Sequence, residues 1–242
     1  MLYLVHLPIS PRSFVLWAKD RGFGPKGARD DGAALHTLVS GLFGKAVLQP
    51  FRLFEPAGAP WSLYAYAGRD AAALAEVSRM VATPEMLDVI DLDKLRSKPM
   101  PEPRTGQRLG FDVRLRPVRR WTDGSRMRER DAFVAEAVRR HPDDCDGMAS
   151  TGRSRETVYR DWLAERLPGV TLEKARLARF GRQKVLRNGR EIEGPDVTFH
   201  GTLIVADPVA FSAMLGQGIG RHRAYGYGMM LLRPPDADVP GC

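Results

Sequence analysis

The sequence predicts an α+β fold made of two tandem βαββαβ units, with a helical, basic insertion in the second. Three observations lead there. A chain of 242 residues has room for two hydrophobic cores of roughly 100 to 120 residues each. Segments of period 2 and period 3.6 alternate in the same order twice. Between the two sets stands Lys98-Pro99-Met100-Pro101-Glu102-Pro103-Arg104, whose prolines fix φ and restrain their predecessors, so 98–104 reads as a stiff connector between units at 1–97 and 105–242.

In the first unit, residues 2–7 alternate as a strand. Asp30-Asp31-Gly32 then opens a helix whose apolar positions are Ala34, Leu35, Leu38, Val39, Leu42 and Phe43, with Gly44 as its stop and carboxylates at its positive end. Residues 47–55 and 61–67 are β-rich and flank Pro56-Ala57-Gly58-Ala59-Pro60, a hairpin turn. An Ala-rich helix over 70–81 and a closing strand over 86–95 complete the unit. This order is the ferredoxin-like, or RRM-like, split motif.

The second unit begins with a strand over 108–118, on which Arg114 and Arg116 alternate and so share a face. Helices over 129–139 and 154–167 follow. Strands over 170–186 and 197–205, a helix over 208–215 and a strand over 225–232 finish it, with Asn188-Gly189 as a tight turn.

Composition narrows the function. No window nears the roughly 18 apolar residues of a membrane span, and residues 1–8 are too short and lack the basic lead of a signal peptide, so a cytoplasmic protein with no membrane partner is expected. Cys145 and Cys242 stand alone, which excludes a disulfide framework or a cysteine zinc site. Asp143-Asp144-Cys145-Asp146-Gly147 has no further ligand pattern and reads as a solvated loop, so no metal or cofactor is expected. The net charge of +8 is unevenly placed: 1–97 hold 11 Lys+Arg against 10 Asp+Glu, and 98–242 hold 26 against 19. The second unit therefore carries the excess and points to a polyanion.

The most informative segment is 216–228, Gly-Gln-Gly-Ile-Gly-Arg-His-Arg-Ala-Tyr-Gly-Tyr-Gly, with five glycines in thirteen residues. Glycines let backbone N–H groups approach phosphate oxygens, and Arg221, His222 and Arg223 add cations, so Gly218, Gly220 and these three are candidate phosphodiester contacts. Neither a Walker loop nor a dinucleotide fingerprint fits this context. Two arginine-rich stretches extend the surface. Residues 104–130 hold nine arginines against three acids, with Arg114, Arg116, Arg119 and Arg120 the candidate contacts; 174–190 hold seven cations and no acid, with Arg176, Arg179, Arg182, Lys184 and Arg187 around Phe180, as a strand pair or a helix end.

On these residues the sequence resembles a family. Gly216 to Gly220 running into Gly226-Tyr227-Gly228-Met229, the passage Gly201-Thr202-Leu203-Ile204-Val205-Ala206-Asp207-Pro208, and Leu35-His36 followed by Gly41-Leu42-Phe43 are similar to motifs of the CRISPR repeat-processing endoribonucleases, especially the CasE subfamily of type I-E systems. The resemblance spans both units. It implies two ferredoxin-like domains and metal-independent cleavage of precursor RNA 3′ of a repeat stem-loop. It further implies retention of the mature crRNA and assembly with other effector-complex subunits.

Such a reaction needs a base for the RNA 2′-hydroxyl, an acid for the 5′-oxygen and cations for the developing charge. The resemblance makes His36 the acid or base. Members often carry a tyrosine one helical turn earlier, where this chain has Ala33, so the second group falls to Arg21, Lys26, Arg29 or Lys45. Among the other histidines, His222 is a phosphate contact with an outside catalytic role, His200 a core or edge residue, His6 bland and His141 a helix-end residue. Ala33 and the abundance of arginine keep a second reading open: an arginine-dependent or non-catalytic crRNA-binding subunit of a type IV ribonucleoprotein.

Overall fold

The structure is a computed structural model that describes residues 1–23, 30–123, 126–140, 152–187 and 190–235. The chain runs β1 (Tyr3–Ile9), α1 (Pro11–Asp20), α2 (Asp31–Phe43), β2 (Phe51–Phe54), β3 (Trp61–Ala67), α3 (Ala71–Val81), α4 (Pro84–Val89) and β4 (Arg96–Pro99). It continues β5 (Arg108–Leu115), β6 (Val118–Asp123), β7 (Arg126–Asp131), α5 (Ala132–Arg140), α6 (Arg155–Ala164), β8 (Val170–Arg187), β9 (Arg190–Val205), α7 (Pro208–Gln217) and β10 (Met230–Arg233). Two four-stranded antiparallel sheets result, ordered β2-β3-β1-β4 and β10-β5-β9-β8. With β5, β8, β9 and β10 counted as first to fourth, the second sheet repeats the order of the first. This is the ferredoxin-like plan twice.

Several elements differ from the sequence expectation. The closing strand is β4, not 86–95, so Lys98 and Pro99 pair with β1 instead of serving as connector. Residues 86–95 instead hold part of α4 and a 3-10 turn, Leu92–Lys94. Helix α1 is an addition: Ser10 Oγ accepts from Ser13 N–H, Pro11 sits at its start, and Phe14, Trp17 and Ala18 bury one face. The insertion opens with a β6–β7 hairpin, so the helix expected over 129–139 begins only at Ala132. The fourth strand of the second unit begins at Met230, later than 225, because a 3-10 turn, Arg223–Tyr225, precedes it.

Helix α2 has a feature that sets the site. Asp30 Oδ1 accepts from Ala33 N–H at 2.9 Å and starts it, and Leu35, Leu38, Val39, Leu42 and Phe43 turn into the first core. Gly32, His36 and Ser40, spaced by four, share a different face.

The two units are joined by packing and by polar contacts. Tyr66 of β3 is buried in the second core, and its hydroxyl donates to the Met230 carbonyl at 2.8 Å. Buried Arg52 of β2 donates to Asp112 of β5, whose other oxygen meets His200 Nε2 at 3.1 Å. His200 is thus a half-buried network residue, and burial lowers its pKa. His6 meets Ser62 Oγ at 3.2 Å, while His141, the Asn188-Gly189 turn and the 143–147 loop lie outside the described residues. No described helix is long and apolar enough to cross a membrane.

Candidate active site

The glycine-rich loop is closed at its base. Ile219 N–H donates to the Gly228 carbonyl, and Gly228 N–H donates to the Arg114 carbonyl, both at 2.8 Å. Gly228 has φ +79°, and a Cβ there would lie 2.3 Å from Ile219 O, so only glycine fits. Gly218 N–H donates to the Met214 carbonyl and Tyr225 N–H to that of His222. Two of these four bonds close the loop on itself and two tie it to α7 and β5. Of the two candidate glycines, Gly218 thus has its N–H bound within the protein, while Gly220 packs against the Trp162 ring.

The loop's 3-10 turn lies against α2. A Cβ on Gly32 would stand 2.9 Å from Tyr225 O, so glycine at that position permits the approach. One turn on, the His36 ring meets the Tyr225 ring edge to face, with centroids 5.4 Å apart. Ser40 Oγ lies 3.4 Å from His36 Nδ1. His36, from the first unit, is thus placed against the loop of the second.

At the loop's tip, His222 Nε2 lies 2.8 Å from Glu129 Oε2, and Arg221 pairs with the other oxygen of the same carboxylate. The His222 hydrogen bond and charge hold the Glu129 carboxyl below the usual range, against the opposing effect of burial. The His222 ring centroid lies 6.3 Å from that of Tyr225 and 6.5 Å from that of Tyr227. Arg223 donates to the Gln217 carbonyl at 2.6 Å.

Arg114 and Arg116 are not the exposed pair expected. Arg114 forms a bidentate pair with Asp196, both contacts 2.8 Å, and stacks on Tyr227 at 4.7 Å. Burial opposes its charge, but the Asp196 carboxylate outweighs this and raises its pKa above the ordinary arginine value. Arg116 is 2% exposed, packed against Gly194, with Nη1 buried and unpartnered. Both arginines hold the loop's surroundings in place rather than facing solvent.

The second basic stretch forms a long β-hairpin. Register shifts at Leu172/Lys174 and Leu177/Arg179 bring Lys174, Arg176 and Arg179 opposite Thr202, His200 and Thr198, onto one face, although their spacing in sequence is uneven. All three are exposed. Phe180, Arg182 and Lys184 take the other face; Arg182 pairs with Glu193 at 2.6 Å, and Phe180 stacks on the Arg155 guanidinium at 4.6 Å. Arg187 ends the strand opposite Arg190, its side chain outside the described residues. Beside Gly220 and Arg221, a cleft of about 290 Å³ is lined by Arg119, Arg120 and Arg166 around Trp162.

Of the candidates for a second catalytic group, the two described ones, Arg21 and Lys45, do not lie at His36. Arg21 caps α1 and stacks on Trp17 at 4.5 Å. Lys45 lies beyond the far end of α2, about 10 Å of helix axis from His36. Lys26 and Arg29 lie outside the described residues. The sequence reading missed Tyr225, Glu129 and Arg166: nothing local marks Glu129, 93 positions from His222, as its partner.

Comparison with known proteins agrees with this geometry. The model of the CRISPR associated protein family matches residues 2–234. No curated protein sequence matches. Among solved structures, Thermus thermophilus Cse3 bound to an RNA representing a pre-cleavage complex is similar at TM-score 0.65 and 19% identity, covering 96% of this chain and 99% of that one. The CRISPR-associated protein Cas6e from Escherichia coli K-12 is similar at TM-score 0.61 and 18% identity, over 96% and 99%. A chain of a CRISPR RNA-guided surveillance complex is similar at 0.58 and 17%, over 95% and 98%. With a family model matched over nearly its whole length and the fold of these structures reproduced end to end, this chain belongs to the CRISPR-associated protein family.

Proposed function

We propose that this chain is a cytoplasmic, metal-independent endoribonuclease that binds the stem-loop of CRISPR precursor RNA repeats. It cleaves 3′ of the stem by attack of the 2′-hydroxyl and retains the mature crRNA within an effector complex. The observation that carries the proposal is the His36 imidazole packed on Tyr225 of a loop that also presents Arg221 and Arg223. RNA brings its own nucleophile, so one imidazole able to move a proton near neutral pH and cations for the phosphorane charge are the minimum equipment. His36 is the proton-transfer group, and Arg221 and Arg223 neutralise phosphate.

Lys174, Arg176 and Arg179, aligned on one face of β8, suit the phosphates of an A-form stem, whose deep, narrow major groove excludes ordinary base readout. Arg119, Arg120 and Arg166 extend the cationic surface past the loop. The solved relatives support this reading: one is bound to RNA as a pre-cleavage complex and another sits in an RNA-guided surveillance complex.

The test is incubation of the chain with a labelled repeat hairpin from its own array in excess EDTA. The expected result is one cut 3′ of the stem, leaving a 2′,3′-cyclic phosphate. Tight binding without a cut would instead support the crRNA-binding subunit of a type IV complex, and loss of cutting in EDTA would overturn metal independence.

A further inference from the structure

We propose that His222 is a second catalytic imidazole, the general acid for the 5′-oxygen leaving group, with Glu129 as the positioning residue that holds its ring. The inference rests on the nuclease reading above.

The backbone singles His222 out. Its φ is +62°, a left-handed conformation that costs side chains other than glycine. The loop's other positive-φ positions, 218, 220, 226 and 228, are all glycine. A histidine at the fifth is an expense that a plain turn would not need.

Its ring is also held. Nε2 is tied to the Glu129 carboxylate at 2.8 Å, which leaves Nδ1 as the nitrogen able to face a substrate. The charged and titratable groups around it are Glu129 from β7, Arg221 and Arg223 from the loop, Tyr225 and Tyr227 at ring distance, and Arg116 and Arg120, whose fields reach Glu129.

The placement is suitable as well. Tyr225 is the common neighbour of His36 and His222, with ring centroids 5.4 and 6.3 Å away, so both imidazoles border the same residue of the loop. In the step, His36 takes the 2′-hydroxyl proton, the 2′-oxygen bonds to phosphorus, and the P–O5′ bond breaks. The 5′-oxygen receives the His222 proton, giving a 2′,3′-cyclic phosphate and a 5′-hydroxyl. Exchange of protons with water resets both rings.

A leaving-group substitution separates this role from a tether. A sulfur at the 5′ position of the scissile linkage leaves without protonation, so the variant lacking the acid should recover on that RNA. His222→Asn, which tolerates the left-handed backbone, should slow cleavage of all-oxygen RNA about a hundredfold or more. It should cleave the 5′-thio RNA near the parent rate and lose the descending limb of the pH profile. His36→Ala should be slow on both. Glu129→Gln, which keeps the side chain's size but weakens the hold on the His222 ring, should slow cleavage of all-oxygen RNA and leave that of the 5′-thio RNA near the parent rate; this variant decides the matter if His222→Asn does not fold.

The proposal is overturned if His222→Asn cleaves all-oxygen RNA within about threefold of the parent, or if it is slowed equally on both RNAs. Cleavage of neither RNA by the parent would overturn the nuclease reading, and this inference with it.

Discussion

The two sheets of this chain share a strand order and differ in charge and in use. The first unit has near-balanced charge and presents His36 on a face of α2 different from the one that enters its core. The second carries the cationic excess along an extended hairpin and a loop. The difference separates two tasks. Affinity for a polyanion is a sum of many similar, replaceable contacts, whereas proton transfer depends on individual groups, each held within a few ångströms.

If that division is right, the largest change in affinity comes from the hairpin. Replacing Lys174, Arg176 and Arg179 together with Ala should weaken binding of the repeat hairpin about a hundredfold near 0.1 M salt, at about 1 kcal/mol for each exposed cation. The salt slope should fall by about 0.7 to 0.9 for each phosphate that is no longer neutralised. Cleavage at saturating protein should be unchanged. Filter binding across a salt series, with single-turnover cleavage, reads both; a slower saturated rate would break the division.

The junction between the units should behave in the opposite way. Gly32→Ala places a methyl 2.9 Å from Tyr225 O and pushes the loop off α2. Single-turnover cleavage should fall between about tenfold and a hundredfold with the binding constant kept, since misplacement by about an ångström costs rate rather than affinity.

The fold's layout was legible in the sequence where pattern is local. Strand β3 lies where residues 61–67 alternate, and α2 follows its apolar period from its Asp30 cap. Helix α1 went unassigned, although Ser10 and Pro11 together make a helix start. The β6–β7 hairpin stands outside both main sheets, and among its described residues only Val118 and Asp131, at its base, are buried, so burial imposes no apolar alternation along it. His36 and the glycine-rich loop were visible through their motifs. The buried state of Arg116 and the partnership of Glu129 with His222 were not, because both depend on neighbours far along the chain.

The seam itself can be probed more gently. Tyr66→Phe leaves the Met230 carbonyl without its donor and should cost about 1 to 3 kcal/mol, read as a lower denaturant midpoint. An unchanged midpoint would mean that this bond does not join the units. The smallest effect is at acid pH. The Glu129 pKa is depressed in the folded chain, so the unfolded chain binds more protons there, and the stabilisation is full above the unfolded carboxylate pKa. It is lost as pH falls through the folded value. Unfolding curves across a range of about pH 6 to 3 should therefore show a shallower acid loss in Glu129→Gln than in the parent; equal slopes would contradict the assignment.

The most direct test of the division of labour is His36→Ala, assayed for binding and single-turnover cleavage of the repeat hairpin in EDTA. The account predicts a binding constant within about twofold of the parent and a rate lower by about 10² to 10⁴. Cleavage at the parent's rate would place the chemistry among the arginines of the second unit and contradict it.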